Sequence, residues 1–215
     1  MIRRAAPATR SENHLAAAMQ ETEPPHAMLG GLNVALLAAP GSDAEALVAL
    51  RTGLEAQGVN VCVLAPGRPG TQPIPADQRI ANADPMGFDG VVVVSGAEGV
   101  AHLRAEPKSL EFIRGINRDH KPVGALGEGL LLPLDSGLAA GRHPCAADAI
   151  AGELWRAHAR REHEPVCVQD RWVTAAGPEV LGAFAAAFQN QLVQRRRDCF
   201  ASEADATPGS VGEDG

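Results

Sequence analysis

The sequence predicts an α/β protein, a three-layer α/β/α sandwich around a mostly parallel sheet. Three observations carry this. Short apolar runs at residues 32–39, 59–64, 88–94 and 123–126 alternate with segments of helical period, the pattern of a parallel sheet with crossover helices. The runs are continuously apolar, as strands covered on both faces must be. The run ending at Leu126 leads into Gly127-Glu128-Gly129 and then Leu130-Leu131-Leu132, a tight turn between a buried strand and an apolar helix.

The elements follow in order. Residues 32–39 form a buried strand, closed by Pro40-Gly41. Ser42 with Glu45 three residues later reads as a capping box that supplies acceptors to free N–H groups at a helix start. That helix carries Ala46, Leu47, Leu50 and Leu54 and stops at Gly58, a residue suited to a left-handed cap. Val59 to Leu64 is the second strand, and the Pro/Gly-rich 66–75 that follows has no clear period. Phe88 to Val94 is a central strand, with residues 95–99 as the loop at its carboxyl end. Leu110, Ile113 and Ile116 share a face of a helix over 110–117. The strand at 123–126 enters the glycine elbow, whose helix ends near Gly137. A helix over 147–160 turns Ile150, Leu154 and Trp155 inward. Residues 166–174 form a hairpin turning at Gln169-Asp170-Arg171. A last helix from Pro178 carries Val180, Leu181, Phe184 and Phe188 and ends at Arg195-Arg196-Arg197, where positive charge suits the dipole. The domain is therefore expected over 31–198. Residues 1–30, with Pro24-Pro25 and a possible short helix over 14–20, read as a tail or linker, and the acidic, Gly-rich 199–215 as disordered.

Composition narrows the function classes. At 215 residues and 45% apolar content, one core and one domain are the natural reading. A net charge of −7, only 3% aromatics and no tyrosine give neither a basic face nor a stacking platform for nucleic acid. No apolar run approaches the ~20 residues that span a bilayer, and Arg3-Arg4 is not followed by an apolar segment of signal-peptide type. The four cysteines, Cys62, Cys145, Cys167 and Cys199, show no paired spacing. They read as reduced thiols of a cytoplasmic protein, with Cys62 and Cys167 as small buried residues within strands and Cys145 in a loop. His143 and Cys145 alone are too few for a structural zinc site, which needs four ligands. No metal or cofactor is expected.

Ligands of parallel α/β sheets bind beyond the carboxyl ends of the strands. Three loops converge there: residues 40–43, 95–99 and 127–129. Their candidate residues are Asp43, Gly96, Ala97, Gly127 and Glu128. A strand-to-helix elbow is where many α/β enzymes expose a nucleophile, yet its apex here is Gly127, which has none.

The order of motifs resembles the ThiJ/PfpI family of the class I glutamine-amidotransferase-like superfamily, over roughly residues 31–194. The resemblance rests on Phe88-Asp89-Gly90-Val91-Val92-Val93-Val94-Ser95-Gly96-Ala97, on Lys121-Pro122-Val123-Gly124-Ala125 before the elbow, on residues 135–142, and on Val168-Gln169-Asp170-Arg171-Trp172 with the residues to Pro178. It implies a flavodoxin-like sheet and dimers or higher homo-oligomers. Active members have approximately Ala-Ile-Cys-His-Gly at the elbow, where this chain has Ala125-Leu126-Gly127-Glu128-Gly129. The position of the cysteine thus holds Gly127 and that of the histidine Glu128. Asp43 matches the family's assisting acid, and Gly96 and Ala97 its backbone donors. The segments 95–103 and 124–129 are also similar to the C-terminal domain of large-subunit catalases, which lacks the cysteine and does not bind haem. The reading that follows is a non-catalytic protein acting in binding, assembly or stress response. Two alternatives stand beside it. One is a hydrolase or glyoxalase-type enzyme using Asp43 and Glu128 as acid and base. The other is a thiol redox sensor using Cys145 or Cys199.

Overall fold

A computed structural model of the chain describes residues 28–67 and 74–205. The helix expected over 14–20, most of the stretch 66–75 and the acidic residues 206–215 lie outside the described residues.

The elements are β1 (Asn33–Leu37), α1 (Ala44–Glu55), β2 (Asn60–Ala65), β3 (Gln78–Arg79), β4 (Gly90–Val93), α2 (Ala97–Ala105), α3 (Pro107–Arg118), β5 (Val123–Leu126), α4 (Leu131–Asp135), α5 (Ala151–Arg156), β6 (Val166–Gln169), β7 (Trp172–Ala175) and α6 (Leu181–Asp205). The strands form one sheet in the order β3-β2-β1-β4-β5-β7-β6. Every neighbouring pair is parallel except the β6–β7 hairpin. The three-layer α/β sandwich is the observed fold.

Strand alternation divides the core into two layers. Val34, Leu36, Val63 and Val92 face one side, packed under Leu47, Leu50 and Leu54 of α1 and Phe184, Phe188 and Leu192 of α6. Ala35, Leu37, Val91 and Val93 face the other, under Leu103, Phe112, Ile113 and Ile116 of α2 and α3. Each fully buried Leu, Val, Ile or Phe contributes about 1.5–3 kcal/mol of transfer free energy. Gly90 and Gly124 let α6 approach the sheet: a Cβ on Gly124 would lie 2.9 Å from the Phe184 ring.

Several boundaries differ from those expected. The domain begins by Met28, since Met28 and Leu29 are 9% and 1% exposed and belong to the α1/α6 layer. Residues 97–99, read as loop, open α2. Helix α3 starts at Pro107 rather than 110, with the Glu106 carboxylate accepting from the Lys108 N–H at 3.2 Å. The helix expected over 147–160 is a 3-10 turn (Asp148–Ile150) and a short α5, ended by His158 at φ +55°. Ile150 and Leu154 face inward, but Trp155 is 80% exposed. Positions i and i+4 share a helix face and the next residue does not. The hairpin turns where expected, with Asp170 at φ +53°.

The last helix does not stop at Arg195-Arg196-Arg197 but runs to Asp205, so the disorder expected from 199 does not begin there. Tertiary contacts hold this part of the helix. Arg171 pairs with Asp198, and Arg196 donates to the carbonyl oxygens of Met28 and Gly30.

The cysteines also depart from expectation. Cys145 and Cys167 form a disulfide, with Cα atoms 5.4 Å apart and a sequence separation of 22, so they are not reduced thiols. The bond ties edge strand β6 to the loop before α5. Cys62 and Cys199 are free. Burial raises the Cys62 thiol pKa above its ordinary value, and the nearby Asp77 charge adds to this. Among the described residues no helix is long and apolar enough to cross a membrane.

Candidate functional site

Strand β5 ends at Leu126 and the chain reverses at Gly127, which has φ +55° in the left-handed region. A 3-10 turn over Gly127–Leu130 then leads into α4. Gly137, at φ +74°, follows the helix, with its N–H donating to the Leu134 carbonyl at 3.0 Å. The two elbow glycines differ in what they require. A Cβ on Gly129 would lie 2.5 Å from the Val93 carbonyl oxygen, so only glycine fits between the elbow and β4. A Cβ on Gly127 would meet the Ser95 Cβ at 3.3 Å and the Ala176 carbonyl oxygen at 3.6 Å. A Cβ at the apex is only mildly crowded, and its left-handed backbone is what most favours glycine.

The other two loops pack against the elbow. Gly96 has φ +113°, and a Cβ there would lie 2.5 Å from the Gly41 carbonyl oxygen and 2.9 Å from the Asp43 nitrogen. The loops after β1 and β4 are thus in backbone contact, and the Asp43 N–H donates to the Ser95 carbonyl at 2.9 Å. The Gly96 N–H in turn donates to Glu128 Oε2 at 3.3 Å. This closes a chain from Asp43 through Ser95 and Gly96 to Glu128, and the structure brings these expected residues together above the sheet edge. Ala97, exposed, opens α2 beside them.

The helix cap is Asp43, not Ser42. Asp43 Oδ1 accepts from the Ala46 N–H at 3.0 Å, while Ser42 Oγ accepts from the Ala39 N–H at 3.0 Å. The serine hydroxyl is committed to the preceding turn, so the aspartate takes the free helix N–H. Both candidate carboxylates therefore act as acceptors of backbone N–H groups. Among the described residues neither forms an ion pair.

Ser95 is a site residue that the sequence did not single out. It is 3% exposed, it lies against Gly127, and among the described residues its Oγ has no hydrogen-bond partner. A strand-end serine followed by glycine was its only signal, and nothing in that marks it as unpaired. His143 and Cys145 do not form a metal pair: the Cys145 sulfur is in the disulfide and His143 Nδ1 is 3.1 Å from Glu162 Oε1.

With this geometry in place, residues 33–191 match the model of the DJ-1/PfpI family. The chain belongs to the DJ-1/PfpI family. General stress protein 18 of Bacillus subtilis (strain 168) is 28% identical over 119 residues, which is 55% of this chain and 69% of that protein. Among solved structures, this DJ-1/PfpI protein is similar to a two-domain protein from Anabaena variabilis containing DJ-1/ThiJ/PfpI-like and ferritin-like domains. The TM-score is 0.70 at 23% identity, over 75% of this chain and 48% of that one. The chain thus spans about half the length of that relative. A ThiJ/PfpI domain protein from Brachyspira murdochii gives a TM-score of 0.69 at 20% identity, over 75% and 96% of the two chains. Oxidized DJ-1 of Toxoplasma gondii gives 0.67 at 17% identity, over 80% and 98%. At these identities the structures speak to the fold.

Proposed function

We propose that this DJ-1/PfpI protein serves a stress-response role through binding or assembly, as a homo-oligomer, and not through covalent catalysis at its elbow. The observation that carries this reading is Gly127 at the apex. The position at which the elbow would present a nucleophile has no side chain, and covalent catalysis requires one. The neighbouring carboxylates support it, because Asp43 caps α1 and Glu128 accepts from the Gly96 N–H. The similarity to a general stress protein fits the same role. Amidase, peptidase and glyoxalase assays on the purified chain test it. No turnover is expected, in the wild type or in Asp43→Ala and Glu128→Gln. Turnover that disappears in Asp43→Ala would overturn the proposal and favour acid–base chemistry shared by Asp43 and Glu128.

A second reading, thiol redox sensing, is favoured by the Cys145–Cys167 bond. It places the sensing thiols on that pair, whereas Cys199 has no cysteine partner. Differential alkylation before and after a dithiol reductant, followed by re-oxidation with a small disulfide, tests it. Reversible opening under native conditions supports sensing, and a bond that opens only on denaturation marks a structural link.

A further inference from the structure

We propose that Cys167 is a site of reversible mixed-disulfide formation with small thiols, and that Cys145 is the thiol that resolves it. The proposal rests on the redox reading of the Cys145–Cys167 pair and assigns each sulfur its part. The two cysteines differ in access. Cys145 is 0% exposed, on the loop before α5, whereas Cys167 is partly exposed on the edge strand β6. A narrow crevice between Arg142, His143, Gln169 and Trp172 reaches Cys167, and among the described residues its walls do not include Cys145. The rate of thiol–disulfide exchange depends on which sulfur a thiolate can reach. Entry from solvent is therefore at Cys167, and the narrowness of the crevice selects a small thiol over a protein one.

An incoming thiolate attacks Cys167 Sγ and forms a new S–S bond there. The bond to Cys145 breaks, and Cys145 leaves with the electron pair and takes a proton from water. In the reverse step the Cys145 thiolate attacks Cys167 Sγ, restores the native bond and expels the small thiolate. A second small thiol can instead attack the small-thiol sulfur of the mixed disulfide. It releases the small disulfide and leaves both cysteines reduced, so that two electrons have passed from two small thiols to the pair. Burial disfavours a thiolate, which makes Cys145 a poor leaving group and opening slower than at an exposed disulfide.

A separate observation gives Cys145 its resolving part: its backbone is held in place without the help of its sulfur. The Cys145 N–H donates to Thr174 Oγ1 at 2.9 Å, and Thr174 is the residue opposite Cys167 in the β6–β7 register. On either side, the His143 N–H donates to Gln169 Oε1 at 2.8 Å, the Glu162 N–H to the Pro144 carbonyl at 3.0 Å and Arg161 Nε to the Ala146 carbonyl at 2.8 Å. Breaking the S–S bond removes none of these contacts, so the two cysteines stay side by side after opening. A group held beside its target reacts as if at a far higher concentration than the same group in solution. Closure by Cys145 therefore competes with the small thiol. An accessible cysteine next to a resolving one is the arrangement of reversible redox cysteines.

Incubation of the native full chain with reduced glutathione tests the site, followed by an acid quench, alkylation after unfolding and peptide mapping by mass spectrometry without reduction. The glutathione adduct is expected on Cys167 in about tenfold or greater excess over Cys145, with adducts at exposed Cys199 counted apart. Removal of glutathione is expected to restore the native bond in the wild type. With glutathione disulfide, Cys145→Ser is expected to take up a lasting adduct on Cys167, and Cys167→Ser to leave Cys145 unmodified until the chain is unfolded. The wild-type measurement does not depend on either variant folding. An adduct shared equally by the two sulfurs or richer on Cys145, or one that lasts in the wild type, would overturn the proposal and leave redox sensing by the pair in place. A wild-type bond that glutathione opens only on denaturation would overturn both.

Discussion

Arg196 Nη1 donates to the carbonyl oxygen of Met28 at 3.0 Å, across 168 residues of sequence, and to that of Gly30 at 2.8 Å. The contact docks the start of the domain on α6 and gives those carbonyls a partly buried, charged donor. Removing it leaves carbonyl acceptors without their partner. Arg196→Ala is expected to lower stability by about 1.5–3 kcal/mol, measured as a shifted urea midpoint at constant slope. Arg197→Ala, one position along on the exposed face, is expected to change it by less than ~0.5 kcal/mol.

The disulfide between Cys145 and Cys167 closes a loop of 22 residues around α5. By the chain-entropy argument such a loop contributes about 3 kcal/mol. Cys145→Ser is therefore expected to destabilise by about 2–4 kcal/mol, and a reductant to lower the melting temperature of the wild type but not of that variant. Cys199→Ser is expected to leave both unchanged.

The elbow glycines are expected to respond differently to alanine. At Gly129 a methyl group would lie 2.5 Å from the Val93 carbonyl oxygen, and relief requires β4 to move. At Gly127 the nearest atom is 3.3 Å away, and the cost is that of the left-handed backbone, about 1–2 kcal/mol. Gly129→Ala is expected to exceed Gly127→Ala in chemical denaturation and to lower the yield of folded protein.

Arg171 holds the Asp198 carboxyl below the usual carboxylate range, with a further hydrogen bond from Gln194. A depressed pKa means stability that is present above the unfolded value, ~3.9, and lost as pH falls through the lower folded value. The stability difference between wild type and Asp198→Asn is therefore expected to be constant above about pH 5 and to shrink below about pH 4. A difference that stays level into acid would show that the ion pair contributes nothing.

Much of the fold was legible because burial on both faces leaves a local mark. Val91, Val92 and Val93 are β-branched and adjacent, and no exposed element would be written that way. The elbow was legible because Gly127 and Gly129 flank one residue between a strand and a leucine run. Trp155 was misplaced because its sequence neighbours are apolar on the helix side that it does not share. The capping residue was misplaced by one position because Ser42 and Asp43 can both cap a helix. The competing bond from Ala39 to Ser42 exists only once the turn is formed.

The sequence by itself determined the layered architecture, the strand–elbow–helix and a glycine at its apex, because these depend on side-chain period and backbone freedom within a few residues. Tertiary structure decided which distant groups meet. It paired Cys145 with Cys167, extended α6 past its arginines by docking Arg196 on the Met28 and Gly30 carbonyls and Asp198 on Arg171, and set Glu128 on the Gly96 N–H. Among the described residues it also left Ser95 Oγ without a partner. The reason is physical: a pairing, or the lack of one, is a distance between atoms, and distances between remote residues are set by how the layers pack.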